Sequence, residues 1–344
     1  MKRISQRDIA ASLGVSIMTV SLALRHSPKL PPATRDRVRR EAERLGYRPD
    51  PALAALTTYR HERQSIREYR TLAFLTSFPA EQGWKDQVYC RKYYDGAAAR
   101  ALELGYHIEP FWLRRPGMTP RRIAQILQTR GIKGLLLAPV QDTENPTVVL
   151  DWDKFCAVSL CRALASPHLN VVDHNHTHSM STVWRELRGR GYRRVGYVVR
   201  EASENLTNRY WLAAHLMEQR RDPLAAADII PPLVTPQWRR STIGRWLEAT
   251  QPDVVVSPHA EVKSWLQELD YAVPGRVGFV GLEAEQDGSI SGICQQFPNV
   301  GIAAVDLLHL ELIRSAYGVP SMRQMIGVDG YWIEGQSLRP VPAM

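Results

Sequence analysis

Long apolar runs are missing from this 344-residue sequence, and so are paired cysteines. No stretch reaches the ~18 consecutive apolar residues of a membrane-crossing helix, so no membrane partner is expected. The four cysteines, Cys90, Cys156, Cys161 and Cys294, lie scattered without a Cys-x-x-Cys pair. They read as small buried residues in a reducing compartment. The first residues, Met-Lys-Arg-Ile-Ser-Gln-Arg-Asp, hold no apolar core of a secretory signal, which makes the cytoplasm the expected location. Signatures of catalysis are also lacking. No Gly-x-Gly-x-x-Gly follows a strand and no Walker-type Gly-Lys-Ser/Thr occurs. In Gly-Ser-Ile-Ser-Gly at 288–292, Ile290 stands where a nucleophile elbow needs serine. Neither enzymatic activity nor a cofactor is expected.

What is present is unevenly placed. The net charge is +9, and residues 1–70 hold 15 Lys/Arg against 7 Asp/Glu, while the other 274 are nearly balanced. A basic excess confined to one terminal segment suggests a polyanion partner for that segment. The segment is also patterned to fold. Ser5-Gln6-Arg7-Asp8 fits a capping box, Ile9, Ala10 and Leu13 give one apolar face, and Gly14 supplies a left-handed stop. Ser16 then caps a second helix whose inner side is Val20, Ala23 and Leu24. Its outer face must be Ile17, Met18, Ser21, Leu22 and Arg25, with Ser16 and Thr19 at the N-terminal end. Together these form a minimal helix-turn-helix, a motif that puts the start of its second helix into the DNA major groove. A third helix begins near Pro32, buries Val38, Ala42 and Leu45, and stops at Gly46. Its outer face is arginine-rich. The next stretch, Tyr-Arg-Pro-Asp-Pro-Ala-Leu-Ala-Ala-Leu, favours a helix too short to hold alone in water.

The Asp-Ile-Ala, Gly-Val-Ser, Thr-Val-Ser, Thr-Arg and Leu-Gly-Tyr-Arg-Pro elements stand in register over residues 4–56. This segment resembles the DNA-binding headpiece and hinge of the lactose-repressor (LacI/GalR) family. The resemblance implies DNA contacts at Ser5, Ser16, Ile17, Met18, Thr19, Ser21, Leu22, Arg25, Thr34, Tyr47, Leu53 and Leu56. In that family paired hinge helices enter the minor groove and a leucine, here Leu56, wedges open a base step.

From Leu72 onward, short apolar strands alternate with helical stretches. Leu-Ala-Phe-Leu-Thr-Ser-Phe, His-Ile-Glu-Pro-Phe-Trp-Leu, Gly-Leu-Leu-Leu-Ala-Pro-Val, Phe-Cys-Ala-Val-Ser-Leu, Arg-Val-Gly-Tyr-Val-Val, Asp-Val-Val-Val-Ser-Pro and Arg-Val-Gly-Phe-Val-Gly-Leu read as buried parallel strands. Helices are predicted over 93–104, 121–129, 179–190, 210–220 and 262–269. The expected fold is therefore an all-α helix-turn-helix headpiece (1–48) and hinge with linker (49–70), then an α/β body. The resemblance makes that body (71–344) periplasmic-binding-protein-like, with two doubly wound subdomains joined by three crossovers. These are placed near residues 161–166, 291–296 and 322–324. The N-subdomain then covers about 71–161 and 295–322, and the C-subdomain about 163–292 and 324–340.

A small-molecule cleft between the subdomains is implied. By resemblance, its candidates are Arg209, as a planar five-donor fork, and Glu283, where the family usually has aspartate. Phe78, Trp84 and Tyr89 follow the first strand, where an aromatic often stacks on a sugar face. Pro258-His259 replaces a polar pair often seen at that edge. In Asp173-His174-Asn175-His176-Thr177-His178, Asp173 and Asn175 compete for one cleft position. If the segment were extended, its three histidines would share a face able to ligate zinc; otherwise it is a polar loop capping a helix that begins near Ser179. No metal is expected. The implied function is that of a homodimeric regulator, most simply a repressor, binding double-stranded operator DNA under control of a small-molecule effector, for instance a sugar-like one. The alternative is a sugar-processing enzyme with an accessory DNA-binding head.

Overall fold

The computed structural model describes residues 4–24, 30–47, 70–140, 147–160, 162, 164–221 and 228–341. Arg25, Leu53, Leu56 and Cys161 lie outside these. The chain divides into two units, residues 1–69 and 70–344.

In the first unit, α1 (Gln6–Leu13) opens on Asp8, whose carboxylate accepts both the backbone N–H and the hydroxyl of Ser5 at 2.7 Å. Gly14 closes it in the left-handed region (φ 64°), donating to the carbonyl of Ala10. Helix α2 (Ile17–Leu24) starts at Ser16, whose hydroxyl accepts the N–H of Thr19 at 3.0 Å. Helix α3 (Pro32–Arg44) has proline in its first turn, where no donor is lost. Ile9, Ala10, Val20, Ala23, Val38 and Ala42 form the shared core, and all are at most 6% exposed. The small side chains let three short helices cross closely.

The second unit holds two six-stranded sheets. The first orders as β11-β5-β4-β3-β1-β2 and is wholly parallel: β1 Arg70–Thr76, β2 Tyr106–Trp112, β3 Gly134–Leu137, β4 Cys156–Ser159, β5 Asn170–His174 and β11 Met325–Val328. The second orders as β12-β10-β9-β8-β6-β7: β6 Val195–Arg200, β7 Leu233–Thr235, β8 Val254–Ser257, β9 Gly278–Gly281, β10 Gly292–Cys294 and β12 Tyr331–Ile333. Only its β10–β12 pair is antiparallel. Apolar clusters line both faces of each sheet, as doubly wound α/β layers require.

Two crossovers fall later than expected. Strand β5, assigned from sequence to the C-subdomain, pairs with β4 in the first sheet, so the chain first crosses at residues 174–176 and not at 161–166. β11 likewise pairs with β5, which moves the last crossover from 322–324 to 328–331. β5 is fully buried, but its ends are Asn, Asp and His, and β11 is an exposed edge; neither shows the apolar run that marks a buried parallel strand. The middle crossover, at 294–297, overlaps the expected one. It launches the helix Phe297–Arg314, which packs against the helix Val88–Glu103 so closely that a Cβ on Gly301 would sit 2.0 Å from the Tyr93 carbonyl oxygen. Only glycine fits there.

Cys90 and Cys156 are free and buried, their thiols pushed up to about 12 by burial, hence inert. His215 is fully buried, stacked 5.3 Å from Tyr197, and neither ring nitrogen has a hydrogen-bond partner among the described residues. Burial lowers its pKa from 6.5 to about 3. Between those values the unfolded chain binds the extra proton, so this histidine costs stability as pH falls, about 1.4 kcal/mol per pH unit. His215→Phe should therefore melt near the wild type at pH 8 and above it at pH 5. Parallel melting-temperature profiles from pH 8 to 5 would show that His215 already has a proton-accepting partner.

Candidate functional site

The outer face of α2 is as the spacing requires. Ile17 is 46% and Met18 71% exposed, both large apolar side chains presented to water, while Ser21 and Leu22 are half-buried. Ser16 and Thr19 share a hydroxyl contact of 2.9 Å at the helix start. Thr34 is half-buried on α3, and the half-buried Tyr47 accepts from Gln6 Nε2 at 3.3 Å, tying the end of the unit to its beginning. Among the α3 arginines, Arg44 is spent on a two-point bond to Glu41 at 2.7 Å, and Arg37 donates to the Leu13 carbonyl. Arg39 remains exposed.

In the second unit a cavity of about 440 Å³ opens at the carboxyl ends of strands from both sheets. Pro139 and Leu160 follow β3 and β4, Asp173 is the next-to-last residue of β5, Arg200 ends β6, and Glu283 follows β9. In open α/β sheets this is where ligands bind, because loops there diverge and leave a crevice. Tyr89, Tyr93, Phe297 and Trp211 supply aromatic wall, and Ser203 and Thr207 supply hydroxyls.

Asp173 lines this cavity and Asn175 does not. Asn175 instead caps the helix His176–Gly189, accepting the His178 N–H at 3.2 Å and donating to Asp329 at 2.8 Å. That helix starts three residues before the expected Ser179, so the three histidines never share an extended face. His174 and His176 are buried beside Trp211, and His178 is exposed. Burial keeps both inner rings neutral: His174 drops to about 3, and His176 falls well below the ordinary value. No group of residues able to hold a metal ion occurs among the described residues.

Asp173 is held by Arg162 at 3.0 Å, with both side chains about nine-tenths buried. Arg162 also donates to the His174 carbonyl at 3.0 Å and lies 4.5 Å over the ring of Tyr210. Burial outweighs that cation and lifts the Asp173 carboxyl to about 6. Glu283 lines the cavity with its side chain exposed, and the protein around it pushes the carboxyl above the usual carboxylate range, against the pull of Lys92.

Three expected contacts fall elsewhere. Arg209 is exposed and outside the cavity lining, because Asn208 and Arg209 both turn left-handed (φ 51° and 59°) before the helix Tyr210–Arg221 begins. Trp211, two residues on, faces the cavity in its stead. Phe78 and Trp84 are core: Trp84 packs 5.6 Å from Phe74 and 5.0 Å from Tyr94, and the Phe78 carbonyl accepts from Trp112. Only Tyr89 of that aromatic trio lines the cavity. The sequence reading missed Tyr93, Trp211 and Phe297, whose pattern is indistinguishable from core, and it weighed His176 only within the Asp173–His178 segment.

Comparison with known proteins places these features. Residues 6–50 match the model of the bacterial regulatory proteins of the lacI family. The HTH-type transcriptional regulator GalR of Lacticaseibacillus casei is 27% identical over 172 residues, so the aligned part spans about half the length of either chain (48% of each). Over 98% of this chain and 99% of its own, the lac repressor dimer bound to operator and the anti-inducer ONPF superposes with TM-score 0.58 at 15% identity. A CelR–cellobiose complex covers 97% of this chain and 100% of its own (0.55, 18%). A periplasmic binding protein/LacI transcriptional regulator from Alkaliphilus metalliredigens QYMF, complexed with D-xylulofuranose, covers 79% and 100% (0.57, 12%).

Proposed function

From a lacI-family DNA-binding domain at residues 6–50 and a body of the fold shared with regulators and binding proteins, we propose a transcriptional regulator that binds operator DNA and is controlled by a small hydroxylated effector in the body's cavity. The observation that carries it is the pairing, in one chain, of an exposed readout face on α2 with a 440 Å³ cavity at the strand ends. Two copies would occupy two half-sites in the cytoplasm, acting as a repressor. The cellobiose and D-xylulofuranose complexes support a sugar-like effector. Effector binding changes the separation of the two sheets, and a coupling of about 1–3 kcal/mol suffices for a 5–150-fold change in operator affinity. The test is to select bound fragments from genomic DNA, then titrate small molecules into the complex. Failure of the full chain to enrich any sequence would remove the reading.

Ile17 and Met18 offer no hydrogen bond, so their partner in a major groove is the thymine methyl. Half-sites should carry thymine opposite at least one of them. Uracil there should weaken binding by up to about 1 kcal/mol, the burial of one methyl group. Met18→Gln should shift the facing preference to adenine, since an amide pairs with its N6 and N7. Uracil throughout the half-site with undiminished affinity would move specificity to other residues.

A further inference from the structure

Three basic side chains around the cavity have acidic neighbours. Arg162 is on Asp173 at 3.0 Å, Lys92 on Glu285 at 2.6 Å, and Arg200 reaches Glu261 at 3.8 Å while lying 5.7 Å over Trp238. Arg209 is exposed and outside the lining. Two lining carboxylates are left over: Asp86, from the loop after β1, and Glu283, from the loop after β9. Neither has a hydrogen bond or ion pair to any described residue. Asp86 belongs to the first sheet's lobe and Glu283 to the second's, so the cavity carries one unmatched negative group on each side. Lys92 pulls on Glu283 from one side, and Glu261 and Glu285 oppose it. Part of the remaining wall is aromatic, from Tyr89, Tyr93, Trp211 and Phe297, and aromatic faces attract cations.

We propose that the effector carries a positive charge, as a protonated amine on a hydroxylated scaffold, with Glu283 as its counter-ion and Asp86 as a second acidic contact from the opposite lobe. Anionic ligands are disfavoured, because the lining holds two carboxylates without a partner and its one arginine, Arg200, already lies near Glu261. A lining carboxylate without a partner gains a charge-assisted hydrogen bond when a protonated amine arrives. A cation held between carboxylates of two lobes also favours their approach, which links recognition to the change in sheet separation. This inference rests on the effector-controlled reading above.

The experiment uses the full chain and matched pairs of compounds, glucosamine with N-acetylglucosamine and galactosamine with N-acetylgalactosamine, titrated by calorimetry at pH 7. The charged member should bind at least tenfold more tightly, and Glu283→Gln should erase that gap. Equal or tighter binding of the acetylated members overturns the proposal, as does binding of none of the four. Operator binding by Glu283→Gln separates the two readings. If it persists while the charge preference fails, the regulator stands and the cationic effector does not.

Discussion

Cutting the chain between residues 69 and 70 is expected to leave a folded body that still binds the proposed effector and no longer recognises operator DNA. The boundary is where the two compact units part. Fifteen of the 44 basic residues lie in the first 70 positions against only 7 acidic ones, and the rest of the chain is close to neutral. Each phosphate neutralised by a basic group releases counter-ions, so an interface with 6–10 such contacts loses roughly 10³–10⁵ in affinity between 50 and 200 mM salt. The full chain should show that steep dependence. The 70–344 fragment should bind DNA at least about a thousandfold more weakly and without sequence preference, the usual gap between specific and non-specific binding. Fluorescence anisotropy against salt, with selected and scrambled duplexes, measures both. Sequence-specific binding by the fragment would place recognition in the body and dismiss the α2 face.

The headpiece was readable because every local signal there agrees. Ser16 caps, Gly14 stops, Val20 and Ala23 face inward, and Ile17 and Met18 are left outside by elimination. The buried parallel strands were readable for a different reason: a strand covered on both faces needs an unbroken apolar run, and Leu-Leu-Leu or Val-Val-Val supplies one. Strands at a switch between sheets lack that mark. β5 ends in Asp173 and His174 because the chain there must serve a cavity and a crossover together, and such residues look like loop. The cavity was half legible. Asp173, Glu283 and Tyr89 line it, but deciding between Asp173 and Asn175 required knowing that the helix begins at His176 and spends Asn175 as its cap. Arg209 was lost to two successive left-handed residues, a conformation that sequence spacing does not announce in the absence of glycine. Arg162 gave no signal at all, since its partners are eleven or more positions away.

Replacing that arginine is the second large effect. In Arg162→Leu, the Asp173 carboxylate, nine-tenths buried, would keep only the N–H of His174 at 2.8 Å. Removing one member of a buried pair costs about 3–5 kcal/mol, because the other charge stays behind without compensation. The site has a way to limit that cost. Asp173 already sits near 6 with the guanidinium in place, and without it burial drives the carboxyl higher, so the acid takes up a proton and the charge disappears. Neutralisation is easier at low pH, and the penalty should therefore be smaller at pH 6 than at pH 8, by up to about 1.4 kcal/mol per pH unit over the interval between the two pKa values. Arg162→Leu with Asp173→Leu removes both charges and should recover most of the stability, as apolar replacements of buried ion pairs generally do. Urea unfolding of the two variants at pH 6 and 8 measures all three quantities. A loss below about 1 kcal/mol in the single variant, or a double variant as unstable as the single, would mean that the pair does not hold this end of β5. The folded double variant then serves a second purpose. If Asp173 touches the effector, it should bind operator normally and fail to respond to the effector, which separates the aspartate's part in recognition from the arginine's part in holding it.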